Sequence, residues 1–537
     1  MFVFKNFLKA HFLFIILLII LAVYLGLKTV PEDGWDEWGF GTAQVLMSAK
    51  YWAEDGIVNH KFLTIPMGYN KVVQYLDEPE MRHHARGAVT GGLIGRRLYY
   101  THYPSGYVFP PTLLMKLGID YVERHWYRIL SLMFSLSALI FMYAFFCYLS
   151  NRLIAFLATL YYAGSTMFLG FADTVCTPPV DDFFRFLILL LSVLAFRSVS
   201  DVKKFRIYNI AIWASYLLLS ISSYDSTFFI FVWLVGLDII IFKKFLWKRW
   251  LIFALAPILA FCLQVLQNIW YFGDWRTLWL DTMGAGVAKA QSGSLWLHIK
   301  SISRSFYLLT GFSALWSTLG IAGLFVGFWK FKKSFQLKNF YTNNIIWILI
   351  ILFLAGSIFP FLFAGGVFEY QGRQMAPFVG LLFGLIIYLV GKNLFSLRRK
   401  KILIVLFFIV LVFWAGQIIR TIDYVKDWPN NTIDKNIVEF SKSLKEKKDG
   451  VVFRIDNLPS KRYPNIDPRV EYYIELPVLS FENREDLIND YNWLKNRSEF
   501  PFKAIILATD QEEKEKIKLL FEDNKEVIIL IGPSLNI

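Results

Sequence analysis

Largely uncharged apolar runs near twenty residues recur along the chain, and most are long enough to cross the roughly 30 Å hydrocarbon core of a bilayer as a helix, the run at 182–197 being the weakest. Read from charge to charge, they predict about eleven spans, near residues 11–28, 127–149, 153–171, 182–197, 207–223, 226–242, 251–271, 305–329, 343–365, 375–391 and 402–419. A composition that is 56% hydrophobic and includes 52 Phe fits no other class so well, so the expected fold is a polytopic α-helical membrane protein. The first run, Phe12 to Leu27, follows Lys5 and Lys9 as a signal peptide would, but no small-residue cleavage site comes after it, so a retained helix is expected. Cys147, Cys176 and Cys262 lie far apart, which suggests neither a disulfide framework nor a metal cluster.

Basic residues set the expected orientation. Lys203, Lys204 and Arg206; Lys243, Lys244, Lys248 and Arg249; Lys330, Lys332 and Lys333; and Arg398 to Lys401 fall in alternate loops, which the positive-inside rule assigns to the cytoplasm. The net charge of +14 is then a matter of topology and of anionic lipid, and no nucleic acid is implied. With the N-terminus inside and an odd number of spans, the loops at 29–126, 172–182, 224–226, 272–304 and 366–374 face outward, together with everything after about Thr421. Acids collect on that face: Asp36, Glu37, Glu54, Asp55, Asp173, Asp181, Asp182, Asp225, Asp274, Asp281 and Glu369. Arg373 is the notable cation among its short loops.

The first outward loop begins with "GWDEWGF", which sets Asp36 and Glu37 between Trp35 and Trp38 just past the first span. Helical spacing over 41–54 and an apolar segment over 111–122 predict two helices lying in the membrane interface. From residue 421 to 537 the chain becomes charged and alternating, and reads as helix, strand, helix, strand, helix, strand. The expected division is therefore a membrane domain over 1–420, including the loop 29–126, and a soluble extracytoplasmic α/β domain over 421–537. The latter has no glycine-rich phosphate loop, which favours an accessory or partner-binding role.

In order and sidedness these features over residues 1–420 resemble the C-superfamily membrane glycosyltransferases, in particular the branch of protein O-mannosyltransferases and aminoarabinose transferases. An acidic pair after the first span looks like Asp36 and Glu37, a Tyr-Pro-Pro-like element looks like "HYPSGYVFPP", a second acidic position looks like "TPPVDDFFRF", and a late Arg before a Pro looks like "EYQGRQMAP". The chain departs from the pattern where relatives carry Thr-Lys after the fifth span, having "SSYDS" with Asp225 instead. The His-Glu-Arg-Tyr run before the late Pro is represented only by Glu369, Tyr370 and Arg373. The resemblance implies a polyprenyl-phosphate-linked sugar as donor, a lipid, glycan or protein acceptor, and a prokaryotic inner-membrane enzyme, a hexosyl- or pentosyltransferase, whose site faces out of the cytoplasm.

Such a transfer needs a base for the acceptor hydroxyl and positive charge for the departing phosphate. Asp36, seconded by Glu37, is the expected catalytic acid pair and Arg373 the expected phosphate ligand, because a planar guanidinium suits a phosphate fork. Asp181 and Asp182 form the second acidic position. Together with Asp36 they are the candidates for holding Mg²⁺ or Mn²⁺. Each has a plainer reading: belt-flanked solvated charges for Asp36 and Glu37, helix capping for Asp181 or Asp182, and pairing with Glu369 for Arg373. His102, Tyr103, Tyr224, Asp225 and Glu369 are weaker candidates for substrate contacts, and His83, His84 and His102 lack metal-ligand spacing. A lipid-linked-sugar transporter or flippase is the alternative function, and a non-catalytic membrane assembly protein a further one.

Overall fold

A computed structural model of the chain describes residues 2–31, 34–65, 68–69, 99–241, 243–276, 278–279, 295–310, 344–363, 369–394, 415–416, 419–423, 433–445, 447, 450–455, 468–481, 484–497, 502–508, 510–521 and 526–531. Most of the expected spans at 305–329 and 402–419, together with His83 and His84, lie outside the described residues. The chain forms two compact units. One comprises Met1–Glu37, Arg124–Gln264 and Lys289–Asn430, and the other Trp38–Glu123, Val265–Ala288 and Asn431–Ile537.

The first unit is helical: α1 (Phe2–Thr29), α4 (Arg124–Leu149), α5 (Arg152–Ala163), α6 (Thr166–Phe171), α7 (Thr177–Arg197), α8 (Val202–Ser222), α9 (Thr227–Gly236), α11 (Leu295–Thr310), α12 (Ile345–Leu362) and α13 (Ala376–Leu394) belong to it. Helix α10 (Trp247–Phe272) begins in this unit. Among the described residues five helices are long and apolar enough to cross a membrane: His11–Thr29, Arg124–Leu149, Val202–Ser222, Trp247–Phe272 and Ile345–Leu362. The expected span at 153–171 is two helices, because Ser165 accepts a hydrogen bond from the Phe168 amide and starts α6 afresh after Gly164. Helix α13 approaches α5 closely through Gly380 and Gly384: a Cβ on either would stand 2.8 or 2.6 Å from the carbonyl oxygens of Ala158 and Ile154. Small residues four apart are how membrane helices bring their backbones together.

Helix α7 starts earlier than the apolar run suggested. Its N-cap is Cys176 and its first turn carries Pro178 and Pro179, which suit positions that have no amide to satisfy. Asp181 and Asp182 therefore sit inside the helix on its core face and do not cap it. The capping reading of these acids is overturned.

The second unit holds α2 (Gly39–Glu54), α3 (Phe109–Lys116), α14 (Lys435–Lys445), α15 (Pro468–Ile474), α16 (Arg484–Arg497), α17 (Gln511–Leu520) and a four-stranded sheet. The strands are β1 (Gly450–Ile455), β2 (Val478–Phe481), β3 (Lys503–Ala508) and β4 (Val527–Ile531), all parallel in the order β2-β1-β3-β4. Unbroken apolar runs such as Ala504–Leu507, buried throughout, are what a parallel sheet covered on both faces requires. Strand β2 and helix α15 are additions to the alternation read from sequence.

Helix α2 was expected in the membrane interface, yet most of it is buried, with Leu46, Ala49 and Trp52 fully enclosed between α3 and α15. Trp52 donates to the Leu63 carbonyl at 2.9 Å, and Lys50 Nζ lies 2.6 Å from the Glu475 carboxylate. Tyr121 and Tyr472 stack with centroids 4.4 Å apart, each hydroxyl donating to the other's carbonyl. Helix α3 does keep an exposed apolar stripe at Phe109, Leu113 and, just past its end, Leu117.

Candidate active site

Two glycines let the backbone carry Arg373 into the helical core. The 3₁₀ turn Glu369–Met375 packs on α11, where a Cβ on Gly372 would stand 2.8 Å from Leu308 Cβ and 3.0 Å from the Ser305 carbonyl oxygen. Gly356 on α12 makes room from the other direction, since a Cβ there would approach the Gln374 carbonyl oxygen to 3.0 Å. Arg373 is consequently 1% exposed. Its Nε lies 3.2 Å from Asp182 Oδ1 and its Nη2 3.6 Å from Asp181 Oδ2. The sequence makes this guanidinium the expected phosphate ligand. In this structure it faces the second acidic position, and the Glu369 side chain lies outside the described residues.

The aspartate pair has a second cation. Arg185, one turn along α7, donates through Nη2 to Asp182 Oδ1, and its Nη1 is 3.4 Å from Asp181 Oδ2 and 3.2 Å from Ser226 Oγ. Spacings of three and four residues put these charges on one helix face. Hydroxyls complete the set: Ser226 donates to Asp181 Oδ2 at 2.6 Å and Tyr162 to Asp182 Oδ2. Asp225, 1% exposed, accepts from Gln371 Nε2 at 3.1 Å and also acts electrostatically on Arg373. The departure "SSYDS" thus supplies a third carboxylate near Arg373. Tyr224 beside it donates to Gln264.

Asp36 is fully buried while Glu37 is exposed, so the acidic pair is not equivalent. The segment before Asp36 is fastened from α4: the Arg124 guanidinium lies 4.2 Å over the Trp35 ring, and Arg128 Nη1 donates to the Gly34 carbonyl at 3.2 Å. Asp36 also lies near the head of α7. Burial pushes the Cys176 thiol up to about 11, and the Asp36 carboxylate adds to that rise while Arg373 opposes it. One thiol therefore feels both the first acidic position and the late arginine.

His102 and Tyr103 belong to the second unit, where their rings meet Tyr100 at 5.7 Å and Tyr107 at 6.1 Å. Among the described residues no three His, Cys, Asp or Glu side chains gather as a cation set. Asp181 and Asp182, two of the three candidates for Mg²⁺ or Mn²⁺, fit two arginines better than a metal, because each carboxylate already has a guanidinium and a hydroxyl. Sequence reasoning missed Tyr162, Ser226, Gln371 and Gln374, the last donating to the Asp225 carbonyl. Hydroxyls and amides inside apolar runs carry no signal until a partner is known.

No protein-family model and no curated protein sequence matches the chain. Solved structures do. The chain superposes on ArnT from Cupriavidus metallidurans bound to undecaprenyl phosphate with a TM-score of 0.53, over 95% of this chain and 94% of that one, at 11% identity. The chain has the fold of ArnT. The Archaeoglobus fulgidus oligosaccharyltransferase tethered to an acceptor peptide is similar as well, with a TM-score of 0.51 over 89% of this chain and 65% of that one, at 11% identity. Both likenesses agree with the family that the order of motifs resembles, and with an integral membrane protein.

Proposed function

We propose that the chain is a membrane glycosyltransferase that moves a pentose or hexose from a polyprenyl-phosphate donor to a lipid, glycan or protein acceptor, with inversion. The observation that carries the reading is a buried guanidinium, Arg373, 3.2 and 3.6 Å from the Asp182 and Asp181 carboxylates near the head of α7, in a chain of the ArnT fold whose first acidic position, Asp36, is also buried. In the proposed reaction Asp36 takes the acceptor hydroxyl proton as that oxygen bonds to the anomeric carbon. The bond from carbon to phosphate oxygen breaks, and the polyprenyl phosphate leaves with its charge met by Arg373. Glu37, being exposed, has a lesser part, and Asp181 and Asp182 hold the arginines before the donor binds. No step is routed through a metal. The site faces the extracytoplasmic side of a prokaryotic inner membrane, the 421–537 region is soluble there, and Tyr224, Asp225 and Glu369 are the proposed further contacts.

The test is release of undecaprenyl phosphate from undecaprenyl-phosphate-linked sugars by purified protein in a membrane extract that supplies the acceptor hydroxyl, followed by mass spectrometry. Wild type releases it. Asp36→Asn, with an unchanged melting temperature, loses release by at least about a hundredfold, the usual weight of a general base. Near-normal release in Asp36→Asn removes the base, and a wild type that translocates the donor without releasing phosphate is a transporter.

A further inference from the structure

Arg373 and Arg185 hold the same two carboxylates with unequal grip. Arg185 makes a close hydrogen bond to Asp182 and shares Ser226 with Asp181. Arg373 stands at ion-pair distances of 3.2 and 3.6 Å from the same oxygens. The cluster also has unused polar capacity: Asp181 Oδ1 and Arg185 Nε are both buried with no hydrogen-bond partner among the described residues. Buried polar atoms are nearly always satisfied, so atoms of both signs left open in one cluster mark a place built for a second arrangement or a further ligand.

We propose that Arg185 is a positioning residue, the resident counter-ion of Asp181 and Asp182, and that its presence lets Arg373 exchange these carboxylates for the phosphate of a polyprenyl phosphate. This rests on the donor reading above. Without Arg185 the pair would have Arg373 as its one close cation among the described residues, and a buried carboxylate does not release its last partner readily. With Arg185 in place, departure of Arg373 still leaves each aspartate a guanidinium and a hydroxyl, from Ser226 or Tyr162. The phosphate then competes against the weaker of two grips.

Binding of undecaprenyl phosphate to the detergent-solubilised full chain tests the exchange without any transfer assay. Arg185→Gln weakens binding about tenfold, the factor that corresponds to 1.4 kcal/mol. Asp182→Asn, which loosens Arg373, tightens it by a similar factor, and the double variant returns close to wild type. A purely structural role for Arg185 predicts no gain in Asp182→Asn and no recovery in the double variant. In an Arg373→Gln background the Arg185→Gln effect disappears, because the two residues act through one exchange. Unchanged binding in Arg185→Gln, no gain in Asp182→Asn, or an Arg185→Gln loss that persists without Arg373 overturns the proposal while leaving the donor reading intact. Failure of wild type to bind undecaprenyl phosphate overturns both. Should Arg185→Gln not fold, Asp182→Asn alone decides by the sign of its effect.

Discussion

Arg128 and Asp173 are joined by two hydrogen bonds deep in the first unit, one of them from Nε at 3.0 Å, and the same carboxylate holds Lys28 Nζ at 2.9 Å. Arg128 also donates to the Lys28 and Gly34 carbonyls. A single buried aspartate thus ties the end of α1, the strand of chain leading to Asp36, helix α4 and the approach to α7. Two cations around one carboxylate leave a net positive charge that the carbonyls of Leu169 and Gly170 help to satisfy through Lys28.

Asp173→Asn should therefore destabilise the protein heavily, by about 3–5 kcal/mol, because it leaves two buried cations without their anion. Lys28→Met in the same chain should recover part of the loss by removing one of them. Thermal melting in detergent measures both. A melting point within a degree of wild type for Asp173→Asn would show that water reaches the cluster.

Gly372→Ala should displace the turn that carries Arg373, since its methyl would press on Leu308 and on the Ser305 carbonyl. Overpacking of this kind costs about 1–3 kcal/mol. The expected outcome is a lowered melting temperature together with weaker undecaprenyl phosphate binding. Alanine at the exposed Gly118, whose φ is +97° with open space around it, should lower stability alone and leave binding unchanged.

What the sequence made legible divides along physical lines. The apolar runs revealed α1, α4, α8, α10 and α12 because span length is set by the bilayer. The runs beginning at 153 and 182 were bounded less well. Ser165 breaks the first by capping, and the second extends back through Pro178 and Pro179, residues that read as breakers but serve a first turn. Asp36, Asp181 and Arg373 stood out as charges beside apolar runs. Their partners could not, because Arg185 and Arg373 are about 190 residues apart in the chain and meet only through packing at Gly356 and Gly372. Asp173 was one acid among many on its face, and nothing local tied it to Lys28 and Arg128. Helix α2 looked interfacial because its apolar residues share one face, while its small residues allow the opposite face to be covered too.

His60 should make the second unit sensitive to acid. It is buried, with Nδ1 3.0 Å from the Tyr99 hydroxyl and Nε2 3.2 Å from Asp55 Oδ2. Burial lowers its pKa below the ordinary 6.5, against the pull of Asp55 and with a smaller push from Lys61. Above that value both folded and unfolded states are neutral at His60 and it contributes nothing to the pH dependence. Below it the unfolded chain takes up a proton that the folded one resists, so stability falls as pH drops. The melting temperature should decline between pH 7.5 and 5.5, and less steeply in His60→Gln. Equal slopes in the two proteins would assign the decline to other groups.

Chelation should leave the protein and its proposed transfer reaction unaffected. Neighbouring buried carboxylates repel unless a proton or a cation lies between them, and that repulsion is the physical case for a metal at Asp181 and Asp182. Here Arg185 and Arg373 supply two positive charges for the two negative ones, and Tyr162 and Ser226 occupy further lone pairs. A magnesium ion needs near-octahedral oxygen ligands at about 2.0–2.1 Å, and to enter this cluster it would have to displace a guanidinium that is already hydrogen-bonded. A tightly bound cation would also stabilise the folded protein in proportion to its occupancy. Melting temperatures measured after exhaustive EDTA treatment, and again after addition of Mg²⁺ or Mn²⁺, should coincide. Release of undecaprenyl phosphate should persist through the same treatment. Loss of release in EDTA that Mg²⁺ or Mn²⁺ restores would place a cation in the reaction, and one held by the aspartate pair would require one of the two arginines to leave when it binds.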